Sequence, residues 1–446
     1  MRKYFGTDGV RGPVGGPLMR KEWAFRFGAG LGAWLRKSDS NKRQVLIGRD
    51  TRASGLSLST AIAQGLACEG FEVVDVGVVP TPAVARLVIA KQCVAGVVVS
   101  ASHNPSEDNG FKLFDGSGCK LSDVDEQEIE AHIDRVPGDL SVDGRFSQTL
   151  DGAQAYIDSI VELLGDLDFS GLRVAVDCGY GATFQTTPEI LSRLGASVES
   201  LHTAPDGNNI NAGVGSEYPE VVQAHVAAGA FDLGIAHDGD GDRVVFIDSD
   251  GVLIDGDQLL GVLGLAEVRA GGEGTAFVGT IQSNMGLDQA IAQAGGVMER
   301  VAVGDRYVAE RMRVIGARCG GENSGHIIIA KWATTGDGLL AAVGVMQLLK
   351  ESRSSLTELA RRVSLFPQET ASIPVKEKRP LEQLTHLQET IESWESRLQG
   401  QGRLFARYSG TQHVLRLLVE ANESDTVVAC MTTLKQALEA DFSRES

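Results

Sequence analysis

Short apolar runs alternate with amphipathic stretches along most of this chain, and one order of them occurs three times. Each copy has an apolar run, a polar turn, a stretch with helical periodicity, a glycine and a second apolar run. The first runs cover residues 44–50, 172–177 and 276–279, and the glycines are Gly70, Gly195 and Gly295. Short apolar runs bounded by turn residues are typical of buried strands, and a glycine ends a helix in the left-handed conformation. Strand–helix–strand units build helix-covered sheets, so the pattern predicts three similar α/β domains.

The last part of the chain has a different pattern. A junction rich in proline and charge covers residues 366–380, and it is followed by a helical stretch, two apolar runs and a closing helical stretch. This order predicts a small α+β domain. The predicted fold class is therefore α/β, with mixed, helix-covered sheets in three similar domains and a small C-terminal α+β domain around a central cleft. The predicted boundaries are 1–150, 151–254, 255–366 and 367–446, since 446 residues exceed one core.

Composition and charge narrow the classes of function. The net charge is −18, and we find no basic stripe of the kind that nucleic acids or anionic membranes require. Neither a signal-peptide core nor a run of membrane-spanning length is found, which predicts a cytoplasmic protein. An anionic substrate would need a binding site with its own local cations and backbone N–H groups.

The six cysteines are Cys68, Cys93, Cys119, Cys178, Cys319 and Cys430. None of them lies in a C-x-x-C pair, which favours buried reduced thiols over disulfides or a zinc site.

The loop that contains Ser102 follows an apolar run over residues 95–99. The run predicts a buried strand, and the Ser, His, Asn and Pro residues after it predict a turn. Open α/β folds bind their ligands at the carboxyl ends of such strands, and a serine there can carry a transferred group covalently. The alternative is a serine that caps a following helix.

Three carboxylates at alternate positions, Asp238, Asp240 and Asp242, lie between two apolar runs. They repel one another unless a cation neutralises them, and oxygen ligands favour a hard ion, Mg²⁺ or Ca²⁺. An EF-hand loop would need Gly at its sixth position and Glu at its twelfth, where this chain has Arg243 and Ser249. The alternative is an Asp-Gly hairpin turn, although a turn does not need three carboxylates.

Further polar side chains are candidates for binding and proton transfer. Glu322, Ser324 and His326 share a glycine-flanked loop that is able to bind sugar hydroxyls, with the imidazole near the chemistry. Arg11 lies among glycines, and Lys112 follows the Ser102 loop closely enough to return to it as acid, base or charge stabiliser. The alternatives are a polar surface loop and two solvated cations.

A second polar loop, at residues 407–411, lies between two apolar runs of the C-terminal domain. Arg407, Ser409, Gly410 and Thr411 offer a guanidinium fork, hydroxyls and accessible N–H groups for an anion. The alternative is an ordinary Ser-Gly-Thr hairpin. The four predicted domains would thus each supply one part: a serine, a metal loop, a loop for sugar hydroxyls and a distant anion site. This combination suits phosphoryl transfer to a substrate with two ends.

The order of the motifs at 5–12, 100–105, 238–243, 321–326 and 407–411 resembles the α-D-phosphohexomutase superfamily over essentially the whole chain. The resemblance implies a phosphoserine at Ser102 and Mg²⁺ held with its phosphate. It implies that the Mg²⁺ ligands are Ser102, Asp238, Asp240 and Asp242, and that Glu322 and Ser324 bind sugar hydroxyls. It implies that the non-reacting phosphate is bound by Arg407, Ser409, Gly410 and Thr411. Assistance in proton transfer or charge stabilisation is implied for Arg11, Lys112 and His326.

Two motifs, at 5–12 and 334–338, are most similar to the members of the superfamily that act on glucosamine phosphates. The implied reaction interconverts glucosamine 6-phosphate and glucosamine 1-phosphate through a 1,6-bisphosphate, which also serves as activator. The implied partners are a phosphosugar and a second copy in a homodimer, and neither nucleic acid nor membrane.

The alternatives are a phosphomannomutase or phosphoglucomutase and a non-catalytic paralogue. Two departures from the pattern are Gln412-His413, in place of Glu-Pro, and Asn323, in place of Gln.

Overall fold

A computed structural model of the chain describes residues 2–37, 42–137, 146–409 and 413–443. The chain forms two compact units. The first unit is Met1–Ser283 with Ile291–Arg362, and the second is Asn284–Ala290 with Val363–Ser446. Three sheets lie in the first unit and one sheet lies in the second.

The first sheet is mixed and has six strands. In chain order its elements are β1 (Val10–Pro13), α1 (Lys21–Leu35), β2 (Gln44–Arg49), α2 (Gly55–Cys68), β3 (Glu72–Val78), α3 (Thr81–Ala90), β4 (Ala95–Val99), β5 (Asp108–Asp115), α4 (Asp123–Ile133) and β6 (Gln148–Thr149). The spatial order is β1-β5-β4-β2-β3-β6, and only the β1–β5 and β4–β5 pairs are antiparallel. Helices α1 and α2 approach closely at Gly65, where a Cβ would overlap the carbonyl oxygen of Phe25.

The second and third sheets are also mixed. The second sheet contains α5 (Gly152–Leu164), β7 (Arg173–Asp177), α6 (Thr186–Arg193), β8 (Ser197–Leu201), α7 (Glu220–Ala228), β9 (Leu233–His237), β10 (Val244–Asp248) and β11 (Leu253–Ile254), with strand order β11-β10-β9-β7-β8. The third contains α8 (Gly256–Gly271), β12 (Ala276–Thr280), α9 (Met285–Gln293), β13 (Val297–Val301), α10 (Asp305–Ile315), β14 (Cys319–Gly321), β15 (Ile327–Ile329), α11 (Gly338–Ser352) and α12 (Leu356–Ala360), with strand order β13-β12-β14-β15.

The three predicted strand–helix–strand units are confirmed, as β2-α2-β3, β7-α6-β8 and β12-α9-β13. In each unit the two strands pair in parallel. The glycines after the helices have φ angles of 85°, 92° and 86° at Gly70, Gly195 and Gly295. A side chain would be strained in that left-handed conformation, so the local prediction was right for the physical reason given.

The second unit contains an antiparallel sheet and two long helices. Its elements are β16 (Gln368–Pro374), a 3₁₀ turn (Leu381–Gln383), α13 (Thr385–Leu398), β17 (Gly402–Tyr408), β18 (Val414–Ala421) and α14 (Ser424–Ser443). The strand order is β16-β18-β17. The interpretation of residues 366–380 as a junction was wrong in part, because β16 lies inside it. As an edge strand, β16 tolerates a proline at its end and alternates exposed with half-buried residues.

All six cysteines are free thiols, as the sequence predicts. Cys93, Cys178, Cys319 and Cys430 are buried, whereas Cys68 is exposed and Cys119 is half-buried. Within the described parts of the chain, no helix combines the length and the apolar character needed to cross a membrane.

Candidate active site

Ser102 lies in the loop between β4 and β5. Its side chain is directed at the acidic loop, the segment between β9 and β10 that contains Asp238, Asp240 and Asp242. Its Oγ donates a hydrogen bond to Oδ2 of Asp238 at 2.5 Å, and its N–H donates to Oγ of Ser100 at 2.9 Å. The residue is 1% exposed and has a φ of 53°, an unfavourable conformation for a side chain other than glycine. The helix-cap alternative is wrong, because the loop leads directly into the antiparallel strand β5.

Two buried side chains hold the backbone of the Ser102 loop. Arg52 donates to the carbonyl oxygens of Ser102 and Asn104 at 2.9 and 2.7 Å, and Asn211 donates to the same two oxygens at 2.9 and 3.0 Å. Asp50 in turn accepts from Nε of Arg52 at 2.9 Å. Sequence reasoning missed these residues. The only available signal was the Asp-Thr-Arg run immediately after β2 and an Asn-rich loop without an assigned role.

The three aspartates of the β9–β10 loop come together in a buried cluster. Oxygens of Asp238, Asp240 and Asp242 lie within 4.8 Å of one another. Burial, with the charges of the other two, raises the pKa of Asp238 well above its usual range. One oxygen of Asp240 and one of Asp242 are buried without a hydrogen-bond partner among the described residues. Since buried carboxylate oxygens without a partner are costly, this donor set fits a divalent cation, and a turn alone does not explain it.

Lys112 is buried in the same cluster, so the alternative of a solvated lysine is wrong. Its Nζ lies 2.7 Å from Asp240, 2.8 Å from Asp242 and 3.1 Å from Asp8. Burial opposes the charge of the lysine, but these carboxylates raise the pKa of Lys112 well above its usual range. Arg11 donates to Asp8 at 2.6 Å from the neighbouring strand β1. The pairing of β1 with β5 therefore brings both predicted cations to Asp8, and Lys112 also reaches the acidic loop.

The imidazole of His326 lies between two carboxylates and a backbone N–H. Its Nδ1 is 3.8 Å from Asp242 and its Nε2 is 3.6 Å from Asp305. Burial lowers the pKa of His326, but interaction with these carboxylates outweighs that effect and raises it. The N–H of Gly336 donates to Nε2 at 3.0 Å. His326 thus lies beside the loop that carries the three aspartates.

The other two residues of the predicted sugar loop, Glu322 and Ser324, lie between β14 and β15. An oxygen of Glu322 accepts from the N–H of Gly304 at 2.9 Å, and burial raises the pKa of Glu322. Oγ of Ser324 is buried and has no hydrogen-bond partner within the described residues. A polar surface loop would not bury these groups, so that alternative does not describe Glu322 and Oγ of Ser324.

Lys120, which sequence reasoning missed, joins two parts of the site. Its Nζ lies 2.5 Å from Asp8, next to β1, and also contacts Asp305 at the start of α10. Burial opposes its charge, but the two carboxylates raise the pKa of Lys120. A lysine in a loop after β5 carries no local sequence signal, because its partners are far away in the chain.

His103, the neighbour of Ser102, was also missed. Its Nδ1 lies 3.4 Å from Oγ of Ser102. Burial, with the charges of Arg243 and Arg11, lowers the pKa of His103 to about 4. The lowered pKa favours the neutral imidazole at neutral pH and makes it a weaker base than an ordinary histidine.

The predicted anion loop belongs to the second unit. Arg407 is directly opposite Arg416 in the β17–β18 pair, and burial together with Arg416 lowers its pKa. In the described residues neither arginine forms an ion pair, and like charges opposite each other repel, so the pair favours an anion. Ser409 is buried, and its N–H donates to the carbonyl oxygen of Val414 at 2.8 Å. The other predicted residues, Gly410 and Thr411, lie outside the described residues, as does Gln412.

Family models match the chain in four consecutive stretches. They are phosphoglucomutase/phosphomannomutase, alpha/beta/alpha domain I at residues 2–137, domain II at 154–251, domain III at 255–366 and the C-terminal domain at 372–434. Together these matches cover most of the chain in the order of the predicted domains.

Three individual proteins illustrate the similarity. A phosphoglucosamine mutase of Symbiobacterium thermophilum is 40% identical over 449 residues, which cover 99% of this chain and 100% of that protein. A phosphoglucomutase/phosphomannomutase family protein from Burkholderia thailandensis has a similar fold, with a TM-score of 0.84, 24% identity and coverage of 100% and 99%. Aspergillus fumigatus N-acetylphosphoglucosamine mutase, in complex with GlcNAc-6P and magnesium, has a TM-score of 0.64, 18% identity and coverage of 91% and 84%.

Proposed function

The chain belongs to the phosphoglucomutase/phosphomannomutase family, and we propose that it interconverts glucosamine 6-phosphate and glucosamine 1-phosphate. As a member of that family it is an isomerase of the mutase type. The substrate is supported by the full-length identity of 40% with a phosphoglucosamine mutase. The observation that carries the proposal is the buried contact of Ser102 with Asp238 beside Lys112, because it unites a nucleophile, a metal loop and a cation.

We propose Ser102 as the carrier of the phosphoryl group. The bond from phosphorus to Oγ of the phosphoserine breaks, and a bond from phosphorus to the free hydroxyl of the sugar phosphate forms, which yields the 1,6-bisphosphate. The other phosphoryl group then returns to Ser102 in the reverse manner. Arg11 stabilises the charge that passes between the oxygens, His326 accepts the proton of the sugar hydroxyl, and Lys112 donates a proton to the departing Oγ of Ser102. When the phosphoryl group returns to Ser102, both proton transfers run in reverse.

We propose Mg²⁺ as the ion, held by Asp238, Asp240 and Asp242 together with the phosphate on Ser102. The unpaired oxygens of the buried cluster support this assignment, and the Aspergillus structure contains magnesium with its sugar phosphate. When bound, Mg²⁺ would offset the carboxylate charges and withdraw electrons from the phosphoryl group.

Two loops are proposed to bind the rest of the substrate. Glu322 and Ser324 would bind the sugar hydroxyls, which the unpaired hydroxyl of Ser324 supports. Arg407 and Ser409 would bind the non-reacting phosphate together with Gly410 and Thr411, which the opposed arginines of β17 and β18 support. Glucosamine 1,6-bisphosphate would act as activator, since it phosphorylates Ser102 of an enzyme that has lost its phosphate.

A comparison of substrates tests the proposal. Glucosamine, glucose and mannose 6-phosphates are supplied with Mg²⁺ and the matching bisphosphate, and kcat/KM is measured for each. We expect the highest value for glucosamine 6-phosphate. A preference for glucose or mannose would instead support the phosphoglucomutase or phosphomannomutase alternative, and no turnover with any of them would support a non-catalytic paralogue.

Three further expectations remain proposals. The four domains at 1–150, 151–254, 255–366 and 367–446 can be tested by expression of the separate segments. A homodimer can be tested by analytical ultracentrifugation, and the cytoplasmic location by cell fractionation.

A further inference from the structure

The backbone of residues 334–338, a polar segment to which sequence reasoning assigned no role, is in contact with His326. The N–H of Gly336 donates to Nε2 at 3.0 Å, and a Cβ on Gly336 would overlap the imidazole ring. The other ring nitrogen, Nδ1, faces Asp242 at 3.8 Å. The position of this peptide therefore helps to fix the orientation of the His326 ring between Asp242 and Asp305.

The next residue, Asp337, is held at both of its carboxylate oxygens. One oxygen accepts from the N–H of Leu340 at 3.0 Å and caps α11, and the other accepts from the hydroxyl of Tyr156 at 2.7 Å. Both side chains are buried, and Tyr156 comes from α5, 181 residues away in the chain. Burial raises the pKa of Asp337, whereas the hydrogen bond from Tyr156 opposes that rise.

The backbone around Asp337 is anchored to the site as well. The N–H of Asp337 donates to the carbonyl oxygen of Ile327 at 3.3 Å, and the N–H of Gly338 donates to that of Gly241, in the acidic loop, at 3.1 Å. A shift of Asp337 would therefore displace the adjacent peptide that contacts His326. The hydroxyl of Tyr156 is the side-chain group that opposes such a shift from α5, together with these backbone contacts.

We propose that Tyr156 and Asp337 are positioning residues for the mutase reaction, which act through the Gly336 peptide on the orientation of His326. Among the described residues, the hydrogen bonds of these two side chains involve none of the proposed metal ligands or sugar ligands. The proposal rests on the proposed role of His326 in proton transfer.

A double-mutant cycle separates this role from a merely structural one. Tyr156→Phe removes only the hydroxyl, and we expect roughly a tenfold lower kcat with KM almost unchanged, within the hundredfold that a displacement of about 1 Å can cost. In a His326→Ala background, the same substitution should lower kcat no further. A second tenfold loss in that background would overturn the proposal.

The controls distinguish the possible failures. Tyr4→Phe removes a comparable Tyr–Asp bond, to Asp134 at 2.6 Å, on the exposed surface, and should leave kcat unchanged. If His326→Ala has the kcat of the wild type, the role of His326 in the proposed function is wrong, and the positioning proposal falls with it. If glucosamine 6-phosphate is a poor substrate, the cycle is measured with the preferred sugar phosphate, so a wrong substrate assignment is recognised separately.

A spectroscopic measurement and a second position complete the test. In ¹⁵N-histidine-labelled protein, Tyr156→Phe should shift the Nε2 resonance of His326, because it alters the contact with the Gly336 N–H, and Tyr4→Phe should not. A resonance that does not move would overturn the proposal. Asp337→Asn keeps an oxygen for the α11 cap and an amide for Tyr156, so it should retain more turnover than Asp337→Ala. Equal losses would contradict the inference.

Discussion

Replacement of Lys112 by methionine tests whether its charge holds the acidic cluster together. The ammonium lies 2.7–3.1 Å from carboxylates of Asp240, Asp242 and Asp8. The first two carboxylates are buried, and that of Asp8 is partly exposed. Each contact is worth about 6 kcal/mol by Coulomb's law at an effective dielectric constant near 20, before desolvation is subtracted. Removal of one partner of a buried ion pair typically costs about 3–5 kcal/mol, because the remaining charge has no compensation. We expect Lys112→Met to lower the free energy of unfolding by about that amount in metal-free buffer.

The measurement is urea denaturation, followed by tryptophan fluorescence, with EDTA and with excess Mg²⁺. Mg²⁺ should recover part of the loss, since a cation bound to Asp240 and Asp242 replaces the missing charge. The matched control is Lys435→Met, which removes an exposed ion pair with Glu369 at 2.9 Å and should cost less than about 1 kcal/mol. Equal destabilisation by the two substitutions, or a loss that Mg²⁺ leaves unchanged, would refute the reasoning.

Three further predictions concern the carrier, the metal and the distant phosphate. Ser102→Ala should abolish turnover and the phosphoryl mass that intact-mass spectrometry detects on the wild type, with an unchanged circular dichroism spectrum; full activity would exclude a covalent carrier. Asp240→Asn should weaken Mg²⁺ binding at least tenfold in calorimetry, and an unchanged affinity would remove Asp240 from the ligand set. Arg407→Ala should raise KM roughly ten- to hundredfold, the value of a hydrogen bond to a charged group, with a smaller change in kcat. A lower kcat at constant KM would contradict the role of Arg407 in binding the phosphate.

The local features of the fold and the chemistry of the site could be predicted from the sequence. The strand before Ser102, the glycines after three helices and the carboxylates at alternate positions depend on residues that are neighbours in the chain. Helix periodicity, the left-handed conformation of glycine and the repulsion among adjacent charges act over a few residues, so they can be recognised without the tertiary structure. The strand β16 was missed because its half-exposed, polar edge lacks that signal.

The contacts among distant segments were decided only by the tertiary structure. Arg52 and Asn211 hold the Ser102 loop from other loops, and Lys120 contacts Asp305, 185 residues away in the chain. The pairing of β1 with β5 is what brings Arg11 and Lys112 to the same carboxylate, Asp8. Such contacts depend on which strands pair and on the burial that removes competing water, and neither is encoded in the neighbours of a residue. The sequence by itself thus determined the types of chemical group and their local elements, and the fold determined which of them share one low-dielectric site.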